Sequence, residues 1–417
     1  MNSPDERGLR LVYVTDHDIT QMDGPEINER DFVHSLLDGQ VSRLALILPR
    51  NDHKYPKGVD VHFIPKKSLY GMVWQQAKLL AALIKVTKQG RYDLVVTRLG
   101  SLPLGLWAYS FMPRIPYAVK NVGDPEFAYL RTRRDLKGLL ARLTNPPYKF
   151  LYGRILRGAL AVDACTEISI QKNQPFARGN EKLFLVDNAV NTSLFYPINR
   201  REARRRVRVE HLNPIIGIVA GLPWEKGAQQ IIRTVHRLRE KYPNIGALIV
   251  GGRGKGLDEL KSLSKELDVL ERCVITGYVP YREVNNYMNC FDVGLAMSSP
   301  TIMKIEGNAN LKIRAYLACG VPVITNHGSN PFVGKQGLGN YCDWGDEESF
   351  LSALLPWLEL SSSERKAFRK RASAYAQQEL STTATLRQRI AFWQEALLKT
   401  GQLDRTTHKL LKATKDE

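Results

Sequence analysis

Cysteine is scarce in this chain: five residues in 417, at 165, 273, 290, 319 and 342, with no CxxC pair. That spacing excludes a zinc-ribbon pattern and a disulfide framework, and the thiols read as small buried hydrophobes in a reducing compartment. Long apolar runs are missing too. The longest, 79–84 and 102–112, fall far short of the roughly 20 residues that cross a bilayer, so no membrane-spanning helix is expected. The opening MNSPDER has no basic segment followed by an apolar core, and no secretory signal is expected. Internal repeats and low-complexity segments are also absent, which excludes solenoids and fibrous arrays.

Acidic residues are outnumbered, 42 against 60 Lys and Arg, for a net charge of +18. The excess is concentrated. Residues 128–160 carry eight basic residues against one Asp, and 200–208 carry six Arg against one Glu. A balance of this kind calls for an anionic partner: a nucleotide, a phospholipid surface or a nucleic acid. No recognisable nucleic-acid-binding module accompanies it, so no nucleic-acid partner is expected. Within 128–160 the Arg and Lys interleave with Leu, Tyr and Phe at helical spacing. Such a stretch can lie apolar face down on an anionic membrane surface. It can equally pack its apolar stripe on a domain with the charges in solvent. The 200–208 run reads as a solvated linker helix.

Strand and helix patterns alternate along the chain. Apolar, β-branched strands are expected at 9–15, 44–48, 61–64, 93–97, 117–121, 159–164 and 183–186, with helices at 28–37, 72–88 and 102–111 between them. A polar stretch, 187–200, interrupts the series. It resumes with strands at 215–219, 247–250, 273–276, 293–297 and 321–325 and helices at 228–241, 257–267, 281–289 and 311–319. Such alternation implies mostly parallel sheets covered on both faces. The expected organisation is a first Rossmann-like domain over 1–188, a linker over 189–210 and a second domain over 211–380. A helix over 381–400, able to cross back to the first domain, and a polar tail over 401–417 complete it. The final helical pattern, 361–398, is interrupted near Ser381.

Four segments beside strands carry polar chemistry. In AGLPWEKG (220–227) the glycines let backbone approach a ligand, the next helix N-terminus favours phosphate and Lys226 adds a point charge. It is not a Walker loop, because the Lys-Ser/Thr pair is missing. In NLKIRAYLACGVPVI (310–324) a helix ends at Gly320 and a buried strand follows at once. Lys312 sits near the front of that helix, where the dipole favours an anion. In the first half, TDHDITQMDGP (15–25) and NVGDPEF (121–127) follow strands; His17 and Asp124 are either site residues or turn chemistry.

Six ordered segments between 187 and 325 together resemble the donor domain of the GT-B glycosyltransferases of family 4 (glycosyl transferases group 1). They are DNAVNTSLF, VAGLPWEKG, LIVGG, VITGYVPYREV, DVGLAMSS and the 310–324 stretch. The resemblance implies an α/β chain of two Rossmann-like α/β/α domains facing across a cleft, the first acceptor-side and the second binding a nucleotide sugar. It implies transfer of a sugar to an acceptor hydroxyl with retention, in polysaccharide, glycolipid or other cell-envelope glycan synthesis. The acceptor would be a sugar or lipid-linked, and the site cytoplasmic, at the inner face of a membrane. Lys226 and Lys312 would neutralise the donor diphosphate. Gly221, Glu225, Gly227, Gly251, Glu306, Asn310, Leu311 and Ala315 would line the donor; Asp124 would touch the sugar or act as base, and Gly24 and His17 would lie on the acceptor side. Members resembling this chain usually need no metal or other cofactor. Two positions depart from the pattern. The family's Arg is Gly221 here, and its second Glu, which typically holds the donor ribose hydroxyls, is Ala315. A methyl group accepts no hydrogen bond, and loss of a charge-assisted one costs about 1.5–3 kcal/mol. A catalytically impaired relative that keeps the fold is the rival expectation.

Overall fold

The computed structural model describes residues 8–20, 24–66, 71–99, 103–120, 122–124, 136–178, 181–221, 224–307 and 310–402. The chain forms two units: Met1–Asp187 with Thr382–Glu417, and Asn188–Ser381.

The first unit is built on a seven-stranded parallel sheet: β1 Arg10–Val14, β2 Arg43–Pro49, β3 Asp60–Ile64, β4 Leu94–Thr97, β5 Tyr117–Val119, β6 Ala161–Ala164 and β7 Leu183–Leu185. Their order is β3-β2-β1-β4-β5-β6-β7. Successive strand residues point to opposite faces, and here both faces are apolar. Leu11 and Tyr13 enter one core with Phe32 and Leu36 of the Gly24–Leu37 helix and with Leu386 and Trp393 of the Thr382–Lys399 helix. Val12 and Val14 enter the other, with Leu79 and Leu83 of the Met72–Thr87 helix and Tyr152 and Ile155 of the Leu136–Gly158 helix. On the latter helix Leu136, Leu139, Leu143 and Phe150 are exposed. Residues 128–135 of the basic segment singled out above lie outside the described residues.

The second unit holds a six-stranded parallel sheet: β8 Ile215–Val219, β9 Gly246–Val250, β10 Cys273–Ile275, β11 Val293–Ala296, β12 Val323–Asn326 and β13 Gly339–Cys342, ordered β10-β9-β8-β11-β12-β13. Helices Ala228–Leu238, Lys255–Glu266 and Glu347–Leu358 cover one face; Leu311–Ala318 and Ser362–Tyr375 pack on the other. Gly320 ends the Leu311–Ala318 helix at φ +73°, where a Cβ would sit 2.9 Å from the Arg369 carbonyl oxygen. No other residue type fits that turn at comparable cost.

The stretch 189–210 is not a free connector. Its Arg200–Arg206 helix is built into the second unit, where Arg200 and Arg204 reach the buried Asp292 at 2.8 and 2.6 Å and Arg365 joins them at 3.1 Å. The three guanidinium groups hold the Asp292 carboxyl below its usual range against the cost of burial. Burial, with the neighbouring arginines, lowers Arg200 to about 10. Part of the Arg run's charge is therefore internal rather than solvated. None of the five cysteines, all among the described residues, is disulfide-bonded.

Candidate active site

In open parallel sheets ligands bind outside the carboxyl ends of the strands, where strand order reverses. In the second unit that point lies between β8 and β11, and several of the residues singled out from the sequence lie in the loops and helix starts that follow these strands. Gly221 follows β8 and is exposed. Gly227, at φ +87°, opens the Ala228–Leu238 helix. Gly251, at φ +95°, ends β9 against the loop, where a Cβ would meet the Ala220 carbonyl oxygen at 2.5 Å. Lys226 Nζ donates to Ser298 Oγ at 3.2 Å. Asn310, N-cap of the Leu311–Ala318 helix, donates from Nδ2 to the same Oγ at 3.1 Å and to the Met297 carbonyl at 3.3 Å. Ser298 is buried just beyond β11, and its N–H donates to Asn326 Oδ1 at 2.7 Å. Leu311 is the first residue of the helix, and Lys312 follows.

The Lys312 amine is enclosed and has no hydrogen-bond partner among the described residues. Burial, reinforced by the charge of Lys226, holds it well below the usual lysine range. Ala315 is a core residue at 5% exposure, whereas a Cβ at Gly221 meets nothing within 4 Å. The two departures from the family pattern thus differ physically: one position is open, the other filled. The side chains of Glu225 and Glu306 lie outside those described. Ser298 and Asn326 were not singled out from the sequence, because isolated polar residues after strands look like ordinary turn residues.

In the first unit the reversal lies between β1 and β4. Gly24 opens the Gly24–Leu37 helix. His17 Nδ1 lies 3.3 Å from Glu26 Oε1 and its N–H donates to Thr15 Oγ1. Asp124 Oδ1 accepts from Lys172 Nζ at 3.4 Å. Asn173 Nδ2 donates to the Gly123 carbonyl at 3.0 Å and its Oδ1 accepts from Tyr152 at 2.5 Å, which pins the loop that carries Asp124. The Tyr148 hydroxyl is pushed up by burial and then by Asp16 and Asp124, so the loops after β1 and β5 share one neighbourhood.

A buried cluster beside them escaped sequence reasoning. Glu29 is fully buried and accepts from Tyr13, from Arg98 Nη1 at 3.2 Å and from Lys120 Nζ at 2.8 Å. Lys120 also lies 3.8 Å over the Phe32 ring. Burial lowers the Lys120 amine to about 8, with Glu29 opposing. A signal existed: Glu29 falls on the same helical face as Phe32, Val33 and Leu36, the face that enters the core.

This architecture is the GT-B glycosyltransferase fold, two Rossmann-like domains on two parallel sheets. Sucrose-phosphate synthase from Thermosynechococcus elongatus matches with a TM-score of 0.68 at 15% identity, over 94% of this chain and 100% of that one. HepE from Anabaena, in complex with UDP, matches with a TM-score of 0.66 at 15% identity, over 93% and 100%. Residues 199–377, which lie within the second unit, match the family Glycosyl transferases group 1. The chain is 30% identical over 171 residues, 40% of its length and 44% of the relative's, to the GDP-mannose-dependent alpha-(1-6)-phosphatidylinositol monomannoside mannosyltransferase of Mycolicibacterium smegmatis. It is 28% identical over 158 residues, 34% and 36%, to the D-inositol 3-phosphate glycosyltransferase of Corynebacterium jeikeium. The chain spans less than half the length of the curated relatives it matches.

Proposed function

We propose that the chain is a glycosyltransferase that moves a sugar from a nucleotide-sugar donor to an acceptor hydroxyl, with retention, in cell-envelope glycan or glycolipid synthesis. The observation that carries this reading is the enclosed, unpartnered Lys312 amine beside Lys226 at the carboxyl ends of β8 and β11. Sugar transfer from a nucleotide leaves a diphosphate, on which negative charge grows. Two fixed amines and a helix N-terminus there stabilise the transition state more than the ground state. Ser298 fixes Lys226, and Asn310 ties the helix start to the same hydroxyl. This arrangement serves the diphosphate without a metal. On the acceptor side Asp124, ion-paired with Lys172, would orient the sugar or the acceptor hydroxyl.

An acceptor delivered at a membrane surface fits the exposed Leu136, Leu139, Leu143 and Phe150 of a helix that contains five basic residues and no acidic one. The rival reading, an impaired scaffold, draws on the core position of Ala315. Transfer assays with a panel of nucleotide sugars separate the two. Turnover is expected, falling about 100- to 1,000-fold in Lys312→Met and Lys226→Met. Absence of both turnover and millimolar donor binding in the wild type would leave the scaffold reading.

A further inference from the structure

Four acidic side chains stand around the carboxyl end of β1, and three of them are partnered. Asp18 pairs with Lys66 at 3.0 Å and Asp124 with Lys172 at 3.4 Å, while Glu26 lies 3.3 Å from His17 Nδ1. Asp16, the second residue beyond β1, is the exception. Its side chain is only 8% exposed, yet among the described residues it accepts no hydrogen bond. The one basic atom within reach is His17 Nε2, at 4.0 Å, too far for a hydrogen bond. A carboxylate only accepts, so Glu26 fixes the neutral imidazole with its proton on Nδ1 and leaves a lone pair on Nε2. Asp16 and His17 Nε2 are then two acceptors side by side with no donor between them. An enclosed carboxylate in this state is costly to the folded chain. Phosphate does not relieve it, because phosphate brings further acceptors. Hydroxyl groups do, one proton for each acceptor. Asp16 also lies on the side of the loop after β5, since it and Asp124 both act on the Tyr148 hydroxyl.

We propose that Asp16 receives the reacting hydroxyl of the acceptor, while His17 Nε2 accepts from a neighbouring hydroxyl of the same molecule. The acceptor is then a compound that presents two adjacent hydroxyls to this strand end. The proposal rests on the glycosyltransferase reading and assigns the residues that seat its acceptor. Asp16 holds the hydroxyl by its proton and so aims the oxygen. Glu26 is a positioning residue that acts through His17.

The test uses the full chain and follows release of UDP or GDP from a panel of nucleotide sugars, in water alone and with methyl α-D-mannoside as probe acceptor. Asp16→Asn keeps the shape of the side chain and removes its charge. It should lower kcat about 10- to 100-fold, the scale of a lost charge-assisted hydrogen bond. The donor KM and the binding of UDP and GDP should not change. The melting temperature should rise, because an enclosed unpaired charge is gone. His17→Gln, at a half-buried loop position, is the second variant should the first not fold, and should lower kcat in the same way with donor KM unchanged. A structural Asp16 would instead lower the melting temperature and leave kcat as it was. That result, or a normal kcat in both variants, overturns the proposal and leaves the glycosyltransferase reading standing. A wild type that neither binds UDP or GDP nor consumes any donor ends that reading, and the proposal with it.

Discussion

Lys312 illustrates how burial turns an ordinary residue into a ligand-responsive one. Its amine sits well below the usual lysine range, first by burial and then by Lys226. The negative charge of a bound diphosphate would outweigh both causes and raise the value. Binding must then take up a proton wherever the pH lies between the unbound and bound values. Affinity should be highest below that window and fall as pH rises through it. Calorimetry of UDP or GDP in buffers of different ionisation enthalpy should show net proton uptake that Lys312→Met abolishes; buffer-independent heats in the wild type would contradict this. The neighbouring departures call for opposite expectations. Gly221→Arg enters open space and should tighten diphosphate binding about 10-fold or more through a charge-assisted contact. Ala315→Glu places a carboxyl at a 5% exposed position. Without ligand it should cost about 1–3 kcal/mol of stability. A larger nucleotide-induced rise in melting temperature than in the wild type would show that ribose hydroxyls satisfy it. Equal rises would place the ribose elsewhere. Lys226 and Asn310, singled out on separate motifs, meet at the Ser298 hydroxyl. Ser298, Glu29, Arg98 and Lys120 were not singled out, since Glu29 and Arg98 stand 69 residues apart in sequence and only the sheet order joins them.

At the scale of elements, the central strands of both sheets were readable because both faces are buried and the runs are apolar. β13 (GNYC) was not: it is a four-residue edge strand with a polar middle, paired on one side to β12. The Glu347–Leu358 helix was overlooked despite its signature, Asp346 accepting from the Ser349 N–H at 3.0 Å ahead of Phe350, Leu351, Leu354 and Leu358. The break at Ser381 was visible, and it is the last residue of the second unit. The unit joined by the following helix depends on its buried contacts. Trp393 is 1% exposed, Phe392 stacks on Phe184 at 3.6 Å, and Arg389 makes a two-pronged bond to Asp163 at 3.0 and 3.1 Å. Asp163→Ala should strand a buried guanidinium and cost about 3–5 kcal/mol in urea unfolding of the first unit. A loss under 1 kcal/mol would mean that the apolar contacts alone hold the helix.

For the molecule as a whole, the charge of +18 is only partly outward. Arg200, Arg204 and Arg365 are spent on Asp292, and Arg98, Lys120 and Arg389 on Glu29 and Asp163. The helix that carries the exposed apolar stripe also holds Arg142, Lys149 and Arg154, the last 4.6 Å over the exposed Phe111 ring. Anionic vesicles should float the chain, less so at high salt, because exposed charges are screened beyond about 10 Å at 0.1 M. Replacing Leu139, Leu143 and Phe150 together with Ser should abolish flotation without lowering nucleotide binding. Equal recovery with neutral and anionic vesicles would remove the membrane surface from the account.

Local periodicity, read without a structure, determined two α/β sheets and a break at Ser381. Those features are written within a few helical turns, where residue spacing maps directly onto geometry. Tertiary structure alone decided that the Arg200–Arg206 helix is internal to the second unit. It also decided that Ala315 is core while Gly221 is open, and that Arg98 stands braced by Glu29 at a strand end. Each of these depends on strand order and burial, which bring together residues far apart in the chain.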